Sequence, residues 1–121
     1  MQKEHIKRFR TERIRGQILQ ILYYGRPQVL EAGMVRSVLA EMTYPLLLED
    51  FVTELDYLRQ ERLIYCFPSG NQELDNLEQS KLLQEYASGV IDCVFLKLRT
   101  DAIKFIEGAH GHRTDLAVAR V

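Results

Sequence analysis

A single α+β domain, with a three-helix core, an antiparallel ribbon and a closing helix, is predicted by three observations. Residues 46–67 carry an amphipathic helix pattern, LLLEDFVTELDYLRQERLI, that runs directly into a short apolar strand pattern, LIYCF. Two further helix patterns precede this join, and a second strand pattern, VIDCVFLKL, follows it at 90–98. The chain has 121 residues, the length of one domain, and a chain of that size buries roughly two-thirds of the surface that its unfolded form exposes.

The first helix is predicted over 7–24, because Ile14, Ile18, Ile21 and Leu22 recur at helical spacing and Phe9 extends the apolar face backwards. Gly25, Arg26 and Pro27 stop it, and 28–30 is read as a short extended link. A second helix is expected over 31–42, burying Met34, Val35, Val38, Leu39 and Met42. Thr43, Tyr44 and Pro45 form the turn, with Pro45 suited to the first turn of the next helix. In the third helix Leu48, Phe51 or Val52, Leu55 and Leu58 share a face, and the helix ends within 61–63. Residues 63–67 then read as a strand closed by Pro68, Ser69 and Gly70. In its partner strand, Val94, Leu96 and Leu98 face one side, with Phe95 and Lys97 on the other.

Roughly twenty residues separate the two strand patterns, too many for a tight hairpin loop. Structure is therefore expected inside the insertion at 68–90, and 72–86 contains Leu74, Leu77, Leu82, Leu83 and Tyr86 with no glycine or proline. A helix there would spread apolar residues over more than one face, so that it contacts both its own domain and a partner. Thr100 is expected to cap a last helix at 101–108, whose Ile103 and Ile106 pack back on the core. Residues 1–11 are read as a basic arm or helix extension, 12–108 as the domain, and 109–121 as a tail.

The net charge of −1 hides two opposed blocks. Residues 1–15 carry Lys3, Lys7, Arg8, Arg10, Arg13 and Arg15 against Glu4 and Glu12, whereas 41–61 carry Glu41, Glu49, Asp50, Glu54, Asp56 and Glu61 against Arg59 alone. The first block suits a polyanion and the second repels one. No uninterrupted apolar run is long enough to cross a bilayer, and the basic N-terminus has no signal-peptide core behind it. A cytoplasmic location without membrane contact is expected. Cys66 and Cys93 lie in apolar strand-like runs and are expected as buried thiols.

The order helix, short strand, helix, turn, helix, strand, long wing, strand, helix resembles the winged-helix superfamily over 12–108. The resemblance rests on FVTELDYLRQERLI and on LKLRTDAIKFIEG, in which Arg99 and Thr100 stand where a Leu-Thr pair is common. A narrower resemblance, carried by Leu55, Leu58, Leu63, Ile64, Thr100, Ile106, Glu107 and Gly108, is to small regulator-like winged-helix proteins of Mu-like phages and prophages. The long acidic insertion before Val90 departs from a simple wing. The superfamily implies a three-helix core with a two- or three-stranded wing, double-stranded DNA as ligand, and homodimerisation through the first and last helices.

In winged helices that read DNA, the third helix faces base edges while the wing contacts phosphates. Here that helix offers Thr53 and Tyr57 among four acids, so it is not expected to supply the main affinity. The candidate DNA contacts are instead Lys3, Lys7, Arg8, Arg10 and Arg13, joined by Arg36, Thr53 and Tyr57. The alternative is a winged helix used as a protein interaction module, with Leu46, Leu47, Leu82 and Leu83 as partner contacts, because all four do not easily reach one small core. His110 and His112 have metal-like spacing without further ligands, and no metal or cofactor is expected. The sequence contains no phosphate-cradling glycine loop, GxSxG elbow or cysteine-histidine dyad, and no catalysis is expected.

Overall fold

Ile14, Ile18, Leu19 and Leu22 line one side of helix α1 (Gln2–Tyr24), and their full burial sets where the core begins. The computed structural model describes residues 2–69 and 73–108, with backbone alone for 2–6. The remaining elements are β1 (Leu30–Glu31), α2 (Ala32–Glu41), α3 (Leu48–Gln60), β2 (Ile64–Phe67), α4 (Asn76–Ala87), β3 (Phe95–Leu98) and α5 (Thr100–Ile106). The described residues thus form an α+β fold of five helices and one three-stranded antiparallel sheet, in the order β1-β3-β2. No helix among them is long and apolar enough to cross a membrane.

Burial separates the predicted faces into confirmed and corrected ones. Phe51, Val52, Leu55 and Leu58 of α3 are buried as their spacing requires. Leu96 and Leu98 of β3, and Val94 just ahead of it, are buried while Lys97 is exposed, as alternation dictates. Phe9, by contrast, is 55% exposed, because α1 at that point has run past the core. Met34 and Met42 are also exposed, since Ala32, Val35 and Leu39 fill the inward stripe of α2. The strand pattern at 90–98 yields pairing only from Phe95 onward: Leu96 faces Cys66 and Phe95 faces Phe67, and Phe67 is the last residue of β2. A strand extends only as far as it has partners. Thr100 is the first residue of α5 rather than its cap; the cap position is Arg99, whose N–H donates to Leu63 O and whose guanidinium has no acceptor to offer the helix N–H groups, so no side-chain cap bond forms.

The insertion folds back onto its own domain. Asp75 starts α4 with a capping box, its carboxylate accepting from Glu78 N at 2.8 Å while Glu78 Oε1 accepts from Asp75 N. Leu82, Leu83 and Tyr86 then bury against the core, and α4 packs on α3 and on β2. The expectation that Leu82 and Leu83 contact a partner is therefore corrected: the long connection is long enough to bring the helix back, and one core takes both side chains. Leu46 is half-buried against the same core, leaving Leu47 alone of the four substantially exposed, at 66%.

β2 is an edge strand, and an edge presents unpaired N–H groups. Gln79 of α4 answers this: its Oε1 accepts from Cys66 N at 3.0 Å, and its Nε2 donates to Leu74 O at 3.2 Å. Tyr65 Oη accepts from Leu74 N, and Arg59 Nη1 donates to Asn76 O at 3.4 Å. Gln79 is 1% exposed, so losing it strands the buried Cys66 N–H and leaves the part-buried Leu74 O without this donor. Gln79→Leu is expected to cost about 1–3 kcal/mol in urea unfolding; a change below the error of the fit would show that the edge does not need this cover.

Helices α2, α3 and α4 share one C-terminal device. Tyr44 N donates to Leu39 O, Leu63 N to Leu58 O, and Val90 N to Glu85 O, each spanning a residue with positive φ. That residue is Gly89 after α4, but Arg62 (φ 59°) after α3 and Thr43 (φ 70°) after α2. A β-branched side chain is disfavoured there. Thr43→Gly is therefore expected to stabilise the domain by ~1 kcal/mol, read as a raised melting temperature.

Candidate nucleic-acid interface

Before the core begins, α1 continues as a helix for about 13 Å from Gln2 to Arg10. The expected basic arm is thus a helix extension. Lys7, Arg8, Arg10 and Arg13 are exposed on it, and Lys3 lies on the same helix with its side chain outside the described residues. Arg8 meets Glu12 at 3.5 Å but is 75% exposed, a pair worth a few tenths of a kcal/mol. Lys7, Arg10 and Arg13 have no carboxylate partner within 4 Å among the described side chains. Arg10 lies 5.8 Å over the Tyr44 ring and Arg13 4.9 Å over Phe9, contacts that leave their charge unneutralised.

The acids of α3 are more occupied than their order in the chain suggests. Glu54 accepts from Arg15 Nε at 2.7 Å, and the same guanidinium sits 3.6 Å over the Tyr57 ring. Asp56 accepts from Arg59 Nε at 2.8 Å and from Gln60 Nε2 at 2.7 Å. Glu49 and Asp50 occupy the first turn, where a carboxylate is favoured by the helix dipole. The Arg15 contact spans 39 residues and could not be read from spacing.

The remaining candidates take structural positions. Arg36 is half-buried and its Nε donates to Leu46 O at 2.9 Å, bracing the turn between α2 and α3. Thr53 is exposed, with Oγ1 donating to Glu49 O at 2.9 Å. Tyr57 is half-buried beneath Arg15.

A group not singled out from the sequence lies on the ribbon. Arg62, Lys97 and Arg99 border an open cleft of about 620 Å³ together with Tyr65, Glu73 and Asp101. Arg99 lies 5.5 Å over the Tyr65 ring, and none of the three cations forms an ion pair with a described carboxylate. The exposed position of Lys97 in the strand alternation was the available signal. Tyr65 pairs with Lys97 across β2 and β3.

Neither thiol is activated. Burial pushes Cys66 from its ordinary 9.0 up to about 12, and burial followed by the Glu31 carboxylate raises Cys93. Both are free cysteines, with Leu96 rather than Cys93 opposite Cys66. Two outcomes are expected. At mildly alkaline pH a thiol reagent modifies Cys93 in the native protein, and Cys66 only after unfolding. Above pH 9 the unfolded Cys66 thiol ionises while the folded one does not, so its contribution to stability is lost as pH rises from about 9 towards 12. Among the described residues no group of three or more His, Cys, Asp or Glu side chains could hold a metal ion; His110 and His112 lie outside them.

Comparison with known proteins adds one partial likeness. Over 85 residues, 70% of its length, the chain is 29% identical to the DNA-directed RNA polymerase subunit beta' of Flavobacterium johnsoniae. It spans only 6% of that subunit. No protein-family model matches the chain, and no solved structure matches it significantly.

Proposed function

We propose that this chain is a winged-helix protein that binds double-stranded DNA in a regulator-like, non-catalytic role, using the N-terminal extension of α1 rather than α3. The element order supports the winged-helix reading: α1, β1, α2 and α3 lead into the β2–β3 ribbon, with α4 as an insertion in the wing. The observation that carries the function is the rod of helix ahead of Ile14, on which Lys7, Arg10 and Arg13 have no carboxylate partner among the described side chains. Such a rod can follow phosphates or enter a groove, with affinity supplied by counterion release. The partial likeness to an RNA polymerase subunit supports a nucleic-acid setting. A homodimer would double the contacts.

The test is binding to mixed-sequence duplex DNA over a salt series, using the full chain and a chain lacking residues 1–11. Binding that weakens steeply with salt and is lost on truncation supports the reading. No binding at low salt overturns it, and undiminished binding after truncation transfers the contact to the ribbon cations. A second reading, a protein interaction module such as one within a phage assembly, is favoured by one observation: Tyr24, Met34 and Met42 are exposed around a groove between α1 and α2.

A further inference from the structure

The groove has a definite shape. Ile21, Tyr24, Leu30, Met34, Val38 and Met42 line a depression of about 610 Å³. Tyr24 is 68% exposed and Met34 51%, so a substantial part of this apolar surface meets water. Its rim on α1 is made of the neutral amides Gln17 and Gln20, and within α2 the only carboxylate is Glu41. Apolar area without charge at its centre is the composition of a binding surface core, and methionines adapt to varied occupants.

One end of the groove is charged. Arg10, Arg13, Gln17, Ile21 and Tyr24 recur at intervals of three and four and therefore share one stripe of α1. Arg10 reaches Tyr44, which follows Met42 just beyond α2, while Gly25 and Leu30 close the opposite end. The two helices thus run antiparallel, and beyond the groove's lining the α1 stripe carries Arg10 and Arg13 at the end where α2 carries its one carboxylate, Glu41, an excess of positive charge.

We propose that this groove receives an amphipathic helix of another protein, its apolar face on Met34 and Met42 and carboxylates at the end that meets Arg10 and Arg13. A helix fits because the groove lies between two helices, and its one strand residue, Leu30, belongs to a two-residue strand too short to template another. Acidity follows from charge complementarity with the two arginines. A second copy does not supply such a helix from its described residues: the apolar face of α3 is buried in Phe51, Leu55 and Leu58, and the large apolar residues left exposed near the acids of α3 and α4 are Leu47, Leu77 and Val90, each isolated near a helix end and none repeating along a helical face. The inference deepens the second reading above. Its readout contains no nucleic acid, so it stands or falls separately from DNA binding.

The probe is a synthetic peptide about 18 residues long with leucines at helical spacing and glutamates at one end, titrated into the full chain by calorimetry. Binding is expected with a Kd on the order of 10 µM, weakened about tenfold or more by Met34→Glu, an exposed position. Arg10→Gln with Arg13→Gln is expected to remove most of the salt dependence. A peptide of the same composition with scrambled leucines is expected not to bind. Absence of binding by the ordered peptide, or binding indifferent to Met34→Glu in a variant whose circular dichroism is unchanged, overturns the proposal. So does a dimer of the chain alone that Met34→Glu dissociates, which gives the groove to a second copy. Binding that requires deletion of residues 109–121 also overturns it, by assigning the groove to the chain's own end.

Discussion

Leu83→Glu is expected to leave the domain unfolded at ambient temperature. Leu83 is 1% exposed on α4, and α4 packs against α3 and β2. Truncating a buried leucine to alanine costs about 2–5 kcal/mol, and a carboxylate in the same place adds the cost of burying an unpaired polar group, roughly 2 kcal/mol or more. Together these approach the whole stability of a small domain, about 5–15 kcal/mol. Leu77→Glu, on the same helix but 80% exposed, is the control and should stay within ~0.5 kcal/mol of the parent. Urea unfolding followed by circular dichroism reads all three, with Leu83→Ala as the intermediate case. A Leu83→Glu protein that folds normally but changes its assembly state would restore α4 to the role of an interface.

The second large effect concerns the α1 extension. Reversing Lys7, Arg8, Arg10 and Arg13 to glutamate changes only exposed side chains ahead of Ile14, so the fold should survive with a melting temperature near that of the parent. Duplex binding should not. Each neutralised phosphate contributes ~0.9 to the slope of log K against log salt. Removing up to four such contacts should flatten that slope by about 3 units or more. Thr53→Ala serves as the counterpart on α3 and should change affinity by less than ~2-fold, below the 1–3 kcal/mol expected of a residue that reads a base. If Thr53→Ala abolishes binding while the α1 reversal leaves it intact, α3 is the contact and the proposed arrangement is wrong.

The two experiments also bear on each other through Arg10 and Arg13. These side chains lie on the stripe of α1 that borders the apolar groove and are counted among the phosphate contacts as well. An acidic helix seated in the groove would therefore occupy cations that DNA also needs. Competition between the glutamate-bearing peptide and duplex DNA is the physical consequence if both proposals hold.

Much of the framework was legible in the residues. The spacing of Ile14, Ile18 and Leu22, of Phe51, Leu55 and Leu58, and of Val94, Leu96 and Leu98 each identified an inward face, because periodicity is a property of the local chain. The same local argument placed a helix in the insertion, although its start moved to Asn76 once Asp75 acted as its cap. The opposed charges of the first helix and the third were equally visible as blocks along the chain.

Other features depended on distance in space. Glu54 reads as part of a repulsive surface until Arg15 is brought to 2.7 Å, and Gln79 reads as helix surface until the Cys66 N–H is placed opposite it. Leu82 and Leu83 looked surplus to a small core because the path of the insertion was unknown. Met34 and Met42 read as part of the buried face with Val35, Val38 and Leu39, but α2 has only one inward stripe, and Ala32, Val35 and Leu39 occupy it. By itself, then, the sequence determined which stretches form helices and strands, most of their inward faces, and the opposed charge blocks. The tertiary structure alone decided which charges are neutralised and which apolar residues stay in water, since pairing and burial depend on which segments the chain brings back together.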